Sequence, residues 1–109
     1  MHPSISIAQA KFAVIDYASS GDNTIVNAVA GKRIRVLQFA LVTAGAVNVR
    51  FESGAGGTAL TGVMNFAANG GIATPLCEYG LFETAAGALL NMELSGAVSV
   101  DGWIVYAQF

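Results

Sequence analysis

The sequence is poor in charged residues. Five Lys or Arg and seven Asp or Glu make up 11% of its 109 residues, whereas an average soluble domain has about 25%. A folded chain of 11.2 kDa exposes about 5,700 Å², which corresponds to one charged residue for roughly every 470 Å² of surface. A stable monomer usually carries more charge than this. We therefore expect much of the folded surface to be covered by further copies of the chain or by a partner.

Histidine and cysteine are almost absent as well. The only histidine, His2, lies close to the first residue, so neither a multi-histidine metal site nor a Ser–His–acid triad is expected. The single cysteine, Cys77, excludes an internal disulfide. Its neighbour Glu78 is acidic rather than basic, and we predict a buried, inert thiol.

The seven carboxylates show no paired spacing of the kind that a glycosidase uses. Asp22, within Gly21-Asp22-Asn23, is compatible with calcium binding, but an Asx turn explains this segment with nothing added. We predict a protein that is not an enzyme, with no catalytic residue, no cofactor and no metal ion.

Membranes and nucleic acids are not expected partners. No run of 18 apolar residues occurs, so no transmembrane helix is expected. The segment Met1-His2-Pro3-Ser4 lacks the charged region and apolar stretch of a signal peptide. The net charge of −2 gives no general attraction to nucleic acid or to an anionic membrane.

What the sequence does contain is glycine at short intervals, between runs rich in Val, Ile, Phe and Leu. Short strands separated by turns every 8 to 12 residues or so are typical of all-β folds. We predict one antiparallel β-sandwich or jelly-roll-like barrel over residues 11–109, preceded by an N-terminal arm over residues 1–10. The eight predicted strands are Lys11–Tyr17, Thr24–Val29, Arg33–Thr43, Val47–Glu52, Thr58–Phe66, Leu81–Thr84, Leu89–Leu94 and Val98–Phe109.

Apolar residues alternate with polar ones in these strands, and in two places the alternation changes phase. Within Arg33–Thr43, the apolar parity changes between Val36 and Leu37, which predicts a β-bulge or a strand that crosses between sheets. The second change falls at Gly102, after which Trp103 and the residues that follow are apolar on the opposite parity. We interpret it as a strand that bends between two sheets.

Several residues are candidates for contacts with other subunits. The basic residues near the start of the third strand have three open interpretations: a nucleic-acid patch, a solvated strand start, or ion pairs with a neighbouring subunit. Exposed aromatic residues would anchor an interface, although the same residues would suit a core. Apolar residues of the N-terminal arm would dock on a neighbour. These candidates are Ile5, Ile7, Lys32, Arg33, Arg35, Phe82 and Trp103.

Residues 29–37 (VAGKRIRVL), 45–54 (GAVNVRFESG) and 58–62 (TALTG) carry a resemblance that extends from Val14 to Val100. In its overall sequence character and in these short segments, the chain resembles the small decoration, or cement, proteins of tailed-bacteriophage heads. The resemblance implies a jelly-roll-like fold, commonly a trimer, bound to the exterior of the capsid where subunits of the major capsid protein meet. It brings no catalytic residues. The alternative is a β-sandwich that binds carbohydrate or attaches a virion to its host.

Overall fold

The computed structural model describes residues 9–109, which form ten β-strands. The predicted first strand begins and ends where expected, the predicted strand Thr58–Phe66 is two short strands, and Gly71–Ala73 was not predicted. No helix among these residues has the length and apolarity that crossing a membrane requires. The strands are β1 Lys11–Tyr17, β2 Gly21–Val26, β3 Ile34–Thr43, β4 Val47–Ser53, β5 Thr58–Ala59, β6 Met64–Phe66, β7 Gly71–Ala73, β8 Phe82–Glu83, β9 Leu90–Leu94 and β10 Val100–Gln108.

The strands form two antiparallel sheets. Sheet A has the order β1-β10-β3-β7, with β8 also paired to β3, and sheet B has the order β2-β9-β4-β5, with β6 also paired to β4. When β5 is counted with β6 and β7 with β8, the chain passes back and forth between the sheets as in a jelly roll. Both sheets have open edges, so the fold is a sandwich and not a closed barrel. The predicted class, an antiparallel β-sandwich, is confirmed.

The core lies between the two sheets and follows the alternation in the sequence. On β4, Val47, Val49 and Phe51 are buried against the other sheet, whereas Asn48 points to the outer face and is exposed. Phe51 sits at the centre, with ring centroids 5.2 Å from Phe39 and 5.4 Å from Phe82. The core comprises Ile15, Ile25, Val26, Ile34, Val36, Phe39, Leu41, Val47, Val49, Phe51, Leu90, Met92, Leu94, Val100 and Ile104.

The predicted bulge in β3 is confirmed. Val105 of β10 pairs with Gln38, but the next residue, Tyr106, pairs with Val36, so Leu37 is an extra residue on β3. Such an insertion exchanges the faces of all residues beyond it. This is why apolar parity changes between Val36 and Leu37.

The predicted break at Gly102 is wrong. β10 pairs without interruption with β1 and β3 through this position, and Gly102 lies opposite the core residues Ile15 and Leu41. A Cβ atom here would lie 1.9 Å from the carbonyl oxygen of Ala40, so glycine permits a close approach of the strands. Because β10 continues through Gly102 without a bend, Trp103 and Val105 lie on the outer face of sheet A, whereas Ile104 between them is buried in the core.

Candidate interaction surface

The outer face of sheet A is apolar and open to solvent. Phe12 is 78% exposed, Val14 66%, Val42 55% and Trp103 43%. These residues are neighbours, because Val14 pairs with Trp103 and Phe12 pairs with Val105. We call the following set the outer apolar face: Phe12, Val14, Ala40, Val42, Trp103 and Val105.

The outer apolar face is large for a single surface patch. An aromatic side chain offers about 150 to 250 Å², so Phe12 and Trp103 together expose on the order of 250 Å², and three valines and an alanine enlarge the patch. The largest apolar patch on a typical monomer spans about 300 to 600 Å² and is often functional. An aromatic pair within a valine surface is also the composition of an interface centre.

One end of this face is acidic. Asp16 and Asp101 are direct cross-strand partners, and both are exposed. Among residues 9–109, no Lys or Arg forms an ion pair with either of them; only the Ser99 hydroxyl donates to Asp101, at 3.0 Å. Like charges directly opposite each other destabilise a strand pair. A cation from another molecule would relieve this repulsion.

The other end of sheet A is basic. Lys11 begins β1, five residues before Asp16, which corresponds to about 17 Å along an extended strand. Lys32 and Arg33 precede β3 at the same end, where the backbone of Arg33 bonds reciprocally with Phe109. All three basic residues are exposed. Lys11 has the opposite parity from Asp16 in β1, and Arg33 also forms an ion pair with Glu83 at 3.7 Å. The two ends of sheet A therefore carry residues of opposite charge, with the outer apolar face between them.

The residues that the sequence predicted as contacts lie in different environments in the structure. Trp103 belongs to the outer apolar face, and Lys32 and Arg33 are exposed at the basic end. Arg35 is only 1% exposed and donates to Glu83 at 2.7 Å. Phe82 is half-buried against the core. Arg35 and Phe82 are therefore structural residues in the folded chain, whereas Ile5 and Ile7 lie outside the described residues.

Arg35 also borders a small cavity of about 150 Å³, lined by Tyr79, Gly80, Phe82 and Glu83. Binding pockets for small molecules usually have about 300 to 1,000 Å³. Gly80 adopts a φ of 94°, and a Cβ atom there would lie 2.5 Å from Arg35 Cγ. Gly80 thus lets the loop lie against the arginine, and we assign this cavity to the packing around the Arg35–Glu83 ion pair.

The outer face of sheet B has the opposite character. Arg50 donates through Nε to Glu52 at 3.0 Å and through Nη2 to Glu93 at 3.2 Å. The Asn91 amide donates to Asp22 at 2.9 Å and to Glu52 at 2.8 Å. We call these five residues the polar network. No spacing in the sequence indicated it, because three strands that are distant along the chain supply its members.

The two outer faces therefore differ in what they can bind. The polar network satisfies most of its own groups, whereas the outer apolar face has no covering layer among the described residues. Comparison of the chain with protein-family models, with curated proteins and with solved structures finds no match.

Proposed function

We propose that this chain is a structural virion protein that binds the exterior of an assembled bacteriophage capsid as a homo-oligomer and reinforces the shell. The observation that carries the proposal is the outer apolar face, an exposed sheet surface that carries Phe12 and Trp103 at diagonal positions on the paired strands β1 and β10. The scarcity of charge in the sequence and its resemblance to phage decoration proteins also support this proposal. The partners are further copies of the chain, most simply in a trimer, and the major capsid protein.

The outer apolar face is the contact between copies in this proposal. Its acidic end, Asp16 and Asp101, would meet the basic end of the next copy, where Lys11, Lys32 and Arg33 are exposed. Opposite charges at the rim fix the orientation of an association, while the apolar centre contributes most of its free energy. An oligomer then repeats each weak contact with the capsid at several symmetric positions, which raises the overall affinity without any new type of contact.

The test is to mix the purified protein with undecorated heads of the phage that encodes it. We expect saturable binding and a higher temperature of head disruption, because a ligand that binds only the assembled state stabilises that state. The variant Phe12→Thr is the matched comparison and should bind more weakly. If wild-type protein neither saturates the heads nor raises their resistance to heat, the proposed function is wrong.

A second candidate is a carbohydrate-binding or host-attachment module. The observation in its favour is the exposed ring of Trp103 beside Phe12, because sugar rings commonly stack on flat aromatic surfaces. The valines around Trp103 offer no hydrogen bonds to sugar hydroxyl groups, which is why this function ranks second. Specific glycan-array binding by wild-type protein that is lost in Trp103→Ala would favour it over the capsid role.

A further inference from the structure

Strand β1 forms one edge of sheet A. Among residues 9–109, β10 is the only strand that pairs with Lys11–Tyr17. This pairing runs through all 7 residues of β1 without a bulge, and the strand contains no proline. Such an edge presents a row of N–H and C=O groups to which another strand can bind, and natural proteins usually shorten, bend or cover it.

The hydrogen bonds of β3 determine how the backbone of β10 is oriented. On β3, Thr43 exchanges backbone hydrogen bonds with Asn69 and Gly70, on the side of the strand that faces away from β10. Adjacent residues of a strand direct their N–H and C=O groups to opposite sides. Val42 therefore directs its groups toward its partner on β10, Asp101, and the residue after Asp101 directs its groups toward β1.

The same alternation continues into β1. Gly102 follows Asp101 and pairs with Ile15, so Ile15 directs its backbone groups toward β10. The residues at alternate positions, Phe12, Val14 and Asp16, therefore direct their N–H and C=O groups to the open edge. No backbone hydrogen bond within residues 9–109 reaches these groups from beyond the edge.

We propose that a second copy of the chain binds this edge with its own β1, antiparallel to the first and related to it by a two-fold axis at Val14. In this register, Val14 faces Val14 of the second copy, and Phe12 faces Asp16 in both directions. The three facing pairs exchange two hydrogen bonds each, or roughly six in all. A register two residues away would leave Phe12 or Asp16 opposite a residue outside the strand.

The charges of β1 favour the antiparallel orientation. Lys11 begins the strand, Asp16 lies near its end, and both are exposed. Antiparallel pairing places Lys11 of each copy beside the acidic end of the other strand, where Asp101 adds a second carboxylate. Parallel pairing would place the Asp16 residues of the two copies side by side, and facing like charges destabilise a strand pair.

This contact is separate from the outer apolar face. A two-fold contact is self-complementary and closes after two copies, and it uses the edge of sheet A, so the outer apolar face of both copies stays open. The inference concerns the free protein in solution and does not rest on the proposed function.

The competing occupant of the edge is the chain's own segment before β1. To pair with β1, this segment would have to reverse its direction near Gln9 and Ala10. These two residues are not the Asn-Gly or glycine-containing pair that a two-residue hairpin favours. A second copy needs no such turn.

The first test is disulfide cross-linking of the full chain, in a Cys77→Ser background so that each variant has one cysteine. Facing residues of a hydrogen-bonded pair have Cα atoms about 5.5 Å apart, which a disulfide can span. We therefore expect Val14→Cys to form a covalent dimer under mild oxidation. Phe12→Cys is the matched control, because the two copies of position 12 lie about 14 Å apart in this register, too far for a disulfide.

This test has two outcomes that overturn the inference. One is that Val14→Cys remains monomeric under oxidation. The other is that Phe12→Cys cross-links as readily as Val14→Cys, because the register would then be wrong. Either result leaves the binding of the protein to phage heads to be measured separately.

The second test compares Val14→Pro with Val14→Thr by sedimentation velocity. Proline is tolerated on an edge strand where the N–H faces solvent, and thermal unfolding checks that the variant is folded. Val14→Pro removes one hydrogen bond from each copy, so its dimer should dissociate about tenfold to 100-fold more readily than that of Val14→Thr, which keeps the N–H. Equal dissociation of the two variants would attribute the association to apolar surface alone and would overturn the edge contact.

Hydrogen exchange of the wild-type protein, resolved to single residues, needs no variant. The N–H groups of Phe12, Val14 and Asp16 should be protected at about 100 μM and exchange rapidly at about 1 μM. Those of Ala13 and Ile15 should be protected at both concentrations, because they bond to β10. Protection of the edge groups at both concentrations would show that the chain covers its own edge, and protection at neither would show that nothing does; both results would overturn the inference.

Discussion

Replacing Phe12 with threonine gives the sharpest test of the outer apolar face. Phe12 is 78% exposed, so about 150 Å² of its surface is available to a neighbouring molecule. At about 25 cal/mol per Å², burying that surface contributes up to about 4 kcal/mol to association. Threonine retains a high preference for strands but removes most of this area. We expect Phe12→Thr to weaken self-association by about 2 to 4 kcal/mol, or 30-fold to 1,000-fold in the dissociation constant.

The stability of the single chain should hardly change in this variant, since an exposed side chain away from special features contributes within about 0.5 kcal/mol. The assay is sedimentation velocity from about 1 to 100 μM, the range in which a weakened oligomer of ordinary affinity dissociates. Val63→Thr is the control, because Val63 is 54% exposed but lies in the loop between β5 and β6. The reasoning is refuted if Phe12→Thr assembles like wild type, or if Val63→Thr dissociates equally.

Three further predictions concern the isolated fold. Gly102→Ala should lower the free energy of unfolding by about 2 to 3 kcal/mol in urea titrations, because the added Cβ atom would collide with the backbone of β3. The control is Gly96→Ala, which has open space around it and should change the free energy of unfolding by less than about 0.5 kcal/mol. Phe51→Ala should cost about 3 to 5 kcal/mol in the same assay, and a smaller loss would mean that the aromatic centre is loosely packed. Asp16→Asn should stabilise the unassociated chain by about 0.2 to 1 kcal/mol, because it removes the repulsion between Asp16 and Asp101. The gain in stability should be smaller in high salt. If no gain is measured at low salt, solvent already screens the pair.

Much of the fold could be predicted because alternation and core burial coincide in most strands. The bulge at Leu37 was visible in the sequence as a change in the parity of the apolar residues. The end of strand Lys11–Tyr17 was predictable because turn residues follow it. The sequence pattern around Gly102 had a different cause from the one predicted. The strand was predicted to bend there into the other sheet, but β10 continues in register, so that Trp103 and Val105 lie on the outer face of sheet A and Ile104 lies in the core. Period-two patterning reports which residues share a face, and it cannot report whether that face meets a second sheet or another molecule.

The polar network was beyond sequence reasoning for a different reason. Asp22, Glu52, Asn91 and Glu93 belong to three strands, and only the registers of β2, β9 and β4 bring them together. A register depends on tertiary packing and on the loops, and one residue of slip would place these side chains on the opposite face. Arg35 illustrates the same limit, because its burial depends on Gly80, in a loop distant along the chain, and on Glu83 of β8.

The strand order also determines when this chain can fold during its synthesis. The central strand β10 of sheet A and the central strand β9 of sheet B are both made after all of their neighbours. At about 5 to 20 residues per second, β1 waits roughly 5 to 20 s for the strand that pairs with it. Until then neither sheet can form its full order, because the partner of β1 is β10 and the partner of β2 is β9. A nascent chain of this protein therefore completes both sheets late in its synthesis, and fragments that lack the last 20 residues or so hold neither sheet together.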